Sequence, residues 1–161
     1  MSHARSDYTS FRNQAPELYD AILAVSQQAA KAGLDKQLLE LVKIRASQIN
    51  GCAFCVQHHV LLAEKLGVSA DKINLVVAWR EAPQFSSRER AALAFTEALT
   101  KLDGGVSDEV YGLARAEFSE TELVFLTSAI GVINLWNRYG VAFRWTPAER
   151  PARCQPSPGT A

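Results

Sequence analysis

Residues 38–59, LLELVKIRASQINGCAFCVQHH, decide the fold, because helical spacing runs up to one break and resumes after it. Leu38, Leu41, Val42 and Ile49 recur at intervals that fit one face of a 3.6-residue helix, and Asp35 stands where an N-cap is needed. A helix over Lys36 to Ile49 follows. Asn50-Gly51 would signal a hairpin between alternating strands, but its neighbours are helix-periodic, so it reads as a helix break. The next helix runs from Cys52 to about Leu66 and stops at Gly67.

The same punctuation extends in both directions. Upstream, Pro16 to Lys31 reads as one helix with Leu18, Ile22, Val25 and Ala29 inward and Gly33 as its stop. Downstream, Ser69 caps a helix to about Arg80, and Pro83 closes the connection. Ser86 with Glu89 and Ser119 with Glu122 are capping boxes, in which the serine accepts from an orphan N–H and the glutamate reaches back. They start helices over Ser87 to Lys101 and Glu120 to Arg144. Between them Asp103-Gly104-Gly105 is a turn, and Ser107 caps a short helix to about Glu117. No stretch reads as a strand. The expected class is all-α, a compact domain of about six to seven helices over residues 16–146, with an N-terminal extension (1–15) and a proline-rich flexible tail (147–161) that includes Cys154.

The final helix places Leu123, Phe125, Leu126, Ile130, Ile133, Leu135, Trp136 and Val141 around nearly its whole circumference. It must be covered on most sides by its own domain or by another subunit, and a homo-oligomer is expected.

Composition narrows the functional classes. The 161 residues hold 17 Lys+Arg against 17 Asp+Glu, so the basic stripe that nucleic-acid binding needs is missing. The start lacks an apolar run after a positive segment, and the most apolar stretch, Leu123 to Trp136, is shorter than the roughly 20 residues of a membrane span. A cytoplasmic protein with no nucleic-acid or membrane partner is the expectation. Three cysteines are too few for a secreted disulfide framework, and the spacing of Cys52 and Cys55 points to redox chemistry or a metal.

On a helix advancing about 100° per residue, Cys55 lies about 300° and His59 about 340° from Cys52, so one face presents two thiols and an imidazole. His58 falls well to the side. Residues three apart bring their α-carbons within disulfide range, which suits a reversible dithiol. Two features lower a thiol pKa here. Cys52 stands in the first turn of its helix, where unpaired N–H groups favour an anion, and His59 is a proton acceptor or cationic neighbour. This favours Cys52 as thiolate, while His59 serves either sulfur. Glu40, an acid among apolar neighbours, ordinarily faces solvent yet is in position to fold back and orient the imidazole. The competing readings are a pair of buried small side chains, or a zinc site, which needs a fourth ligand that His58 does not supply. Trp136 and Asn134 read as packing residues.

Glu40, eleven residues, Cys52-x-x-Cys55, three residues and His59 together resemble the signature of the alkylhydroperoxidase D-like (AhpD-like) proteins of the carboxymuconolactone decarboxylase superfamily. Residues 41–55, 88–94 and 133–138 are also similar to that core domain. The resemblance implies an all-helical homo-oligomer with no cofactor or metal. It further implies a thiol-dependent peroxidase that takes hydrogen peroxide or an organic hydroperoxide as substrate and an external dithiol as reductant. By the same resemblance Cys55 attacks, Cys52 resolves, and Glu40 and His59 relay protons. A further histidine that some members carry between the cysteines is replaced by Phe54. A decarboxylase of the γ-carboxymuconolactone type and a non-catalytic redox-sensing oligomeric module are the alternatives, and the first does not require the dithiol.

Overall fold

The computed structural model describes residues 4–149. His3, Cys154 and residues 150–161 of the tail lie outside it. Among the described residues the chain forms nine α-helices, one 3₁₀ turn and no strand. They are α1 (Tyr8–Gln14), α2 (Pro16–Ser26), α3 (Gln28–Lys31), α4 (Lys36–Ile49), α5 (Ala53–Lys65), α6 (Ala70–Leu75), the turn Val76–Ala78, α7 (Ser87–Lys101), α8 (Asp108–Glu117) and α9 (Glu120–Phe143).

The helix starts follow from local chemistry. Leu38 N–H donates to Asp35 Oδ1 at 2.8 Å to open α4, and Ser86/Glu89 and Ser119/Glu122 both close reciprocal capping boxes. Ser69 and Ser107 cap α6 and α8. Each such cap stabilises its helix by about 1 kcal/mol.

Four readings change. The segment Pro16 to Lys31 is two helices, not one, with the break at Gln27. Ser26 Oγ donates to the carbonyl of Ile22 at 2.8 Å and accepts from Trp136 Nε1 at 3.3 Å, and hydroxyl back-bonding of this kind bends a helix. Ile22 and Ala29 are buried, whereas Leu18 and Val25 are 45% and 46% exposed rather than inward. The helix after Ser69 ends at Leu75 and tightens into the 3₁₀ turn before Arg80. Finally, α1 arises within residues 1–15, where the sequence reading places an N-terminal extension without a helix, with Asp7 as its N-cap. Phe11 is buried, its ring 4.6 Å from Tyr139 and 5.5 Å from Trp145, so tertiary aromatic packing makes this helix.

α4 runs through the middle and packs against α5, α7 and α9. One core cluster lies between α4, α7, α8 and α9 around Leu38, Val42, Phe95, Phe118 and Leu126; a second lies between α4, α5, α6 and α7 around Leu41, Ile44, Val76 and Leu93. Two motif arginines hold the loops between them. Arg88 donates to the Glu117 carbonyl and to Glu122 Oε1 while lying over the Phe118 ring. Arg90 donates to the carbonyls of Phe85, Trp79, Arg80 and Ala82. The buried Glu97 accepts from Arg45, Trp79 and Arg80, so its charge is compensated.

The chain's own helices cover most of α9, leaving Val124, Leu135 and Val141 exposed. No single described helix is long and apolar enough to cross a membrane. Because Leu126 is 0% exposed inside one protomer, a charge there has no route to solvent. Leu126→Asp is therefore expected to unfold the protomer, read as loss of helical circular dichroism; a folded variant would contradict this core.

Candidate active site

The site forms where α4 ends, α5 begins and α9 crosses both. α4 stops at Asn50, and Gly51 takes φ +66°, a left-handed conformation that glycine enters without a Cβ penalty. This turn sets Cys52 in extended geometry as the N-cap of α5, not in its first turn. Cys55 N–H donates to Cys52 Sγ at 3.3 Å, so the sulfur sits where a capping oxygen usually does. The helical projection of Cys52 is thereby replaced, but the two sulfurs still meet, and they are joined as a disulfide with α-carbons 5.3 Å apart.

A polar ladder fixes the turn. Asn50 Nδ2 donates to Asn134 Oδ1 and to Asn137 Oδ1, both at 2.9 Å. Asn137 Nδ2 donates to Ser47 Oγ at 2.9 Å, and Asn134 Nδ2 to Thr100 Oγ1 at 3.1 Å and the Ile130 carbonyl at 2.9 Å. Asn134 is therefore packed, as the sequence suggested, but by hydrogen bonding.

α9 comes closest to the dithiol at Gly140. A Cβ there would stand 2.5 Å from Cys52 Sγ and 3.3 Å from Cys55 Sγ, so only glycine lets the helix pass. Four residues on, Arg144 at φ +53° turns the chain back, and Trp145 N–H donates to the Gly140 carbonyl at 3.0 Å. Trp145 then covers the same site.

Glu40 folds inward. It is 5% exposed, its Oε2 lies 2.7 Å from His59 Nδ1, and its Oε1 accepts from Lys43 Nζ at 2.7 Å. Burial opposes the charge on Glu40, but the bonds to His59 and Lys43 outweigh it and hold the carboxyl below its ordinary value. Burial acts in the opposite sense on His59, holding its pKa below the ordinary value despite the attraction of Glu40. The pair is thus carboxylate and neutral imidazole. Nδ1–H donates to Glu40, and Nε2 keeps its lone pair as a proton acceptor.

A cavity of about 310 Å³ adjoins this group. Cys55, His59, His58 and Lys43 line it, with the aromatic side chains of Tyr8, Tyr19, Phe54, Trp136 and Trp145. Cys52 is not among the lining residues. His58 keeps part of its ring exposed and stacks on Phe54 with ring centroids 6.2 Å apart; desolvation of the part that faces the site, and the neighbouring His59, hold its pKa low. Among the described residues, no group of three or more His, Cys, Asp and Glu side chains is placed to hold a metal ion.

Of the residues that the sequence singled out, the fold brings Glu40, Cys52, Cys55 and His59 together. Sequence reasoning missed Lys43, whose signal was its i, i+3 spacing from Glu40. It missed Tyr8, Tyr19 and Trp145, for which local sequence carried no signal, and it assigned Trp136 to packing although the ring also lines the cavity.

Helices that set a Cys-x-x-Cys pair beside a carboxylate-bonded histidine define an AhpD-like protein. The chain belongs to the Carboxymuconolactone decarboxylase family, whose sequence profile matches residues 16–98. It is 35% identical over 138 residues to the uncharacterized protein YdfG of Bacillus subtilis (strain 168), spanning 85% of this chain and 94% of that one. The crystal structure of ATU0492 from Agrobacterium tumefaciens is 40% identical with a TM-score of 0.85, covering 92% of this chain and 100% of that chain. Its description gives the function as unknown and points to an antioxidant defence protein AhpD. The debrominase Bmp8 superposes with a TM-score of 0.78 over 86% of this chain and 75% of its own, at 19% identity, a likeness of fold alone.

The low pKa of His59 has a consequence for stability. The unfolded chain binds a proton at histidine near pH 6.5, whereas the folded state resists it, so stability is full above that pH and declines as pH falls through it. Glu40 adds its loss only at lower pH, starting as pH falls below the ordinary carboxyl range and ending below its own depressed value. The urea midpoint is expected to fall between pH 7.5 and 5.5, and less steeply in His59→Gln. Equal slopes would mean that His59 is not buried as a neutral ring.

Proposed function

We propose that this protein is a thiol-dependent peroxidase that reduces hydrogen peroxide or an organic hydroperoxide through its dithiol. One observation carries the reading: of the two sulfurs, Cys55 lines the cavity that His59 also lines, whereas Cys52 lies under Gly140. A hydroperoxide entering the cavity meets Cys55 first.

In the proposed cycle His59 Nε2 takes the Cys55 proton, and Glu40 holds the imidazole in the tautomer that makes this possible. The thiolate attacks the terminal peroxide oxygen, the O–O bond breaks, and the alcohol or water leaves with a proton. Cys55 is now a sulfenic acid. Cys52, whose thiolate the Cys55 N–H favours, displaces water to form the disulfide. The balance is one hydroperoxide and two thiols giving one alcohol, one water and one disulfide. An external dithiol reductant restores both thiols by exchange.

The antioxidant description of ATU0492 agrees with this cycle, and the family resemblance supports a homo-oligomer. Light scattering at micromolar concentration is expected to give a mass well above the 17.7 kDa of one chain; a mass near that value refutes assembly.

Cys52→Ser and Cys55→Ser are each expected to abolish steady-state hydroperoxide consumption with a dithiol donor, with sulfenic acid trapped only in Cys52→Ser. Trapping in Cys55→Ser instead would reverse the two roles. Full turnover in both variants would end the peroxidase reading, and no turnover in the parent would leave the dithiol as a redox sensor.

A further inference from the structure

The cavity over Cys55 is walled by five aromatic rings together with aliphatic side chains such as Leu23, Leu62, Val132 and Ile133, and three of the five rings come from outside the segment that the family profile matches. Tyr8 lies on α1, Trp136 on α9 and Trp145 just beyond it; only Tyr19 and Phe54 fall within residues 16–98. These rings are locked. Tyr8 stands 5.2 Å from both Phe54 and Trp145, and its hydroxyl is 2.9 Å from that of Tyr19. Trp145 Nε1 donates to the Ser6 carbonyl at 3.1 Å, and Trp136 Nε1 to Ser26 Oγ at 3.3 Å. A guest therefore meets walls whose ordering cost has been met by folding.

Four features define that guest. The volume of about 310 Å³ lies at the lower end of small-molecule sites, roughly 300–1,000 Å³, which suits a compact body rather than a long acyl chain. Ring walls reward edge-to-face and offset contacts that only another ring can return. Among the described residues the lysine on the lining, Lys43, is already paired with Glu40 at 2.7 Å, and they offer no free Lys or Arg charge there to a carboxylate. The mutual bond of Tyr8 and Tyr19 uses one of their two O–H protons and leaves the other as a donor for a neutral oxygen.

We propose that this cavity selects a neutral, compact, aryl-bodied hydroperoxide, and that Tyr8 of α1 is the specificity-determining residue whose ring closes on the substrate. The inference rests on the peroxidase reading for its reaction, in which the aryl-substituted hydroperoxide and two thiols give the corresponding alcohol, water and the disulfide. It does not rest on that reading for binding.

The test has two arms on the full chain. In the first, Cys55→Ser protein is titrated with 2-phenyl-2-propanol, the unreactive alcohol of cumene hydroperoxide, and tryptophan fluorescence is followed. Saturable quenching is expected, with tert-butanol at least tenfold weaker and the Tyr8→Ala, Cys55→Ser double variant roughly tenfold weaker than Cys55→Ser. Equal response to the two alcohols, or no effect of Tyr8→Ala, overturns the proposal.

In the second arm, single-turnover oxidation of the reduced parent is compared for cumene hydroperoxide and hydrogen peroxide. The parent is expected to favour the aryl substrate, the ratio of the two rates to fall about tenfold in Tyr8→Ala, and Tyr8→Phe to restore most of it. A parent with no preference refutes the proposal without any variant. A Tyr8→Ala protein that loses both rates equally, or that slows only re-reduction by dithiothreitol, assigns Tyr8 to stability or to the reductant and overturns it as well. Aryl-alcohol binding without oxidation by either peroxide upholds the aryl site and removes the peroxidase reading. Oxidation without aryl preference or binding does the reverse.

Discussion

The two hydrogen bonds that Asn50 donates to Asn134 and Asn137 are the constraint on which the rest of the site depends. They join the end of α4 to the middle of α9 at a point where both partner amides are buried. Buried amide oxygens without donors are costly, by about 1–3 kcal/mol each, so the register between these helices is narrowly set. Ser47 and Thr100 complete the ladder by accepting from the same two asparagines, and a fully satisfied polar network in a low-dielectric interior is stiff. Among the described residues no buried side-chain nitrogen or oxygen lacks a hydrogen-bond partner.

Everything at the dithiol is downstream of that register. With α4 stopped at Asn50, Gly51 can take its left-handed turn, and Cys52 arrives as a cap rather than as a helical residue. The same register brings Gly140 over the two sulfurs, where a larger side chain has no room, and the turn at Arg144 lays Trp145 alongside. Glu40 is about three helical turns before Asn50 on the same helix, so helix geometry and the Gly51 turn together set the spacing between carboxylate and dithiol. Its bond to His59 crosses from α4 to α5 and ties the proton acceptor to the frame that positions the thiols. Lys43, one turn from Glu40, keeps the carboxylate charged, and a charged carboxylate keeps the imidazole in one tautomer.

How much of this was legible in the sequence follows the range of the interactions. The caps at Asp35, Ser69, Ser86, Ser107 and Ser119 bond within three residues of themselves, and each was readable. The joint spacing of Glu40, Cys52, Cys55 and His59 was readable because it lies within twenty residues on two adjoining helices. α1 was not, since its stability comes from Phe11 packing on residues more than a hundred positions away. The break at Gln27 was hidden for the same reason: Trp136, 110 residues distant, donates to the Ser26 hydroxyl. Leu18 and Val25 fit the helical period yet lie exposed, because periodicity identifies a stripe without saying how wide a neighbour will cover it.

This division of range coincides with a division of labour. Glu40, Cys52, Cys55 and His59 lie inside the segment that the family profile matches, on two helices adjoining in sequence. Three of the five aromatic rings that line the cavity beside Cys55 lie outside it, on α1, on α9 and at Trp145, and they converge through tertiary packing. Chemistry at a dithiol tolerates little variation in geometry, whereas a cavity wall can change its side chains while the frame stays intact. A fold arranged in this way can keep one thiol–disulfide engine and alter its substrate by exchanging the roof. In this chain the roof is joined at Tyr8, whose ring stands 5.2 Å from Phe54 and whose hydroxyl lies 2.9 Å from that of Tyr19.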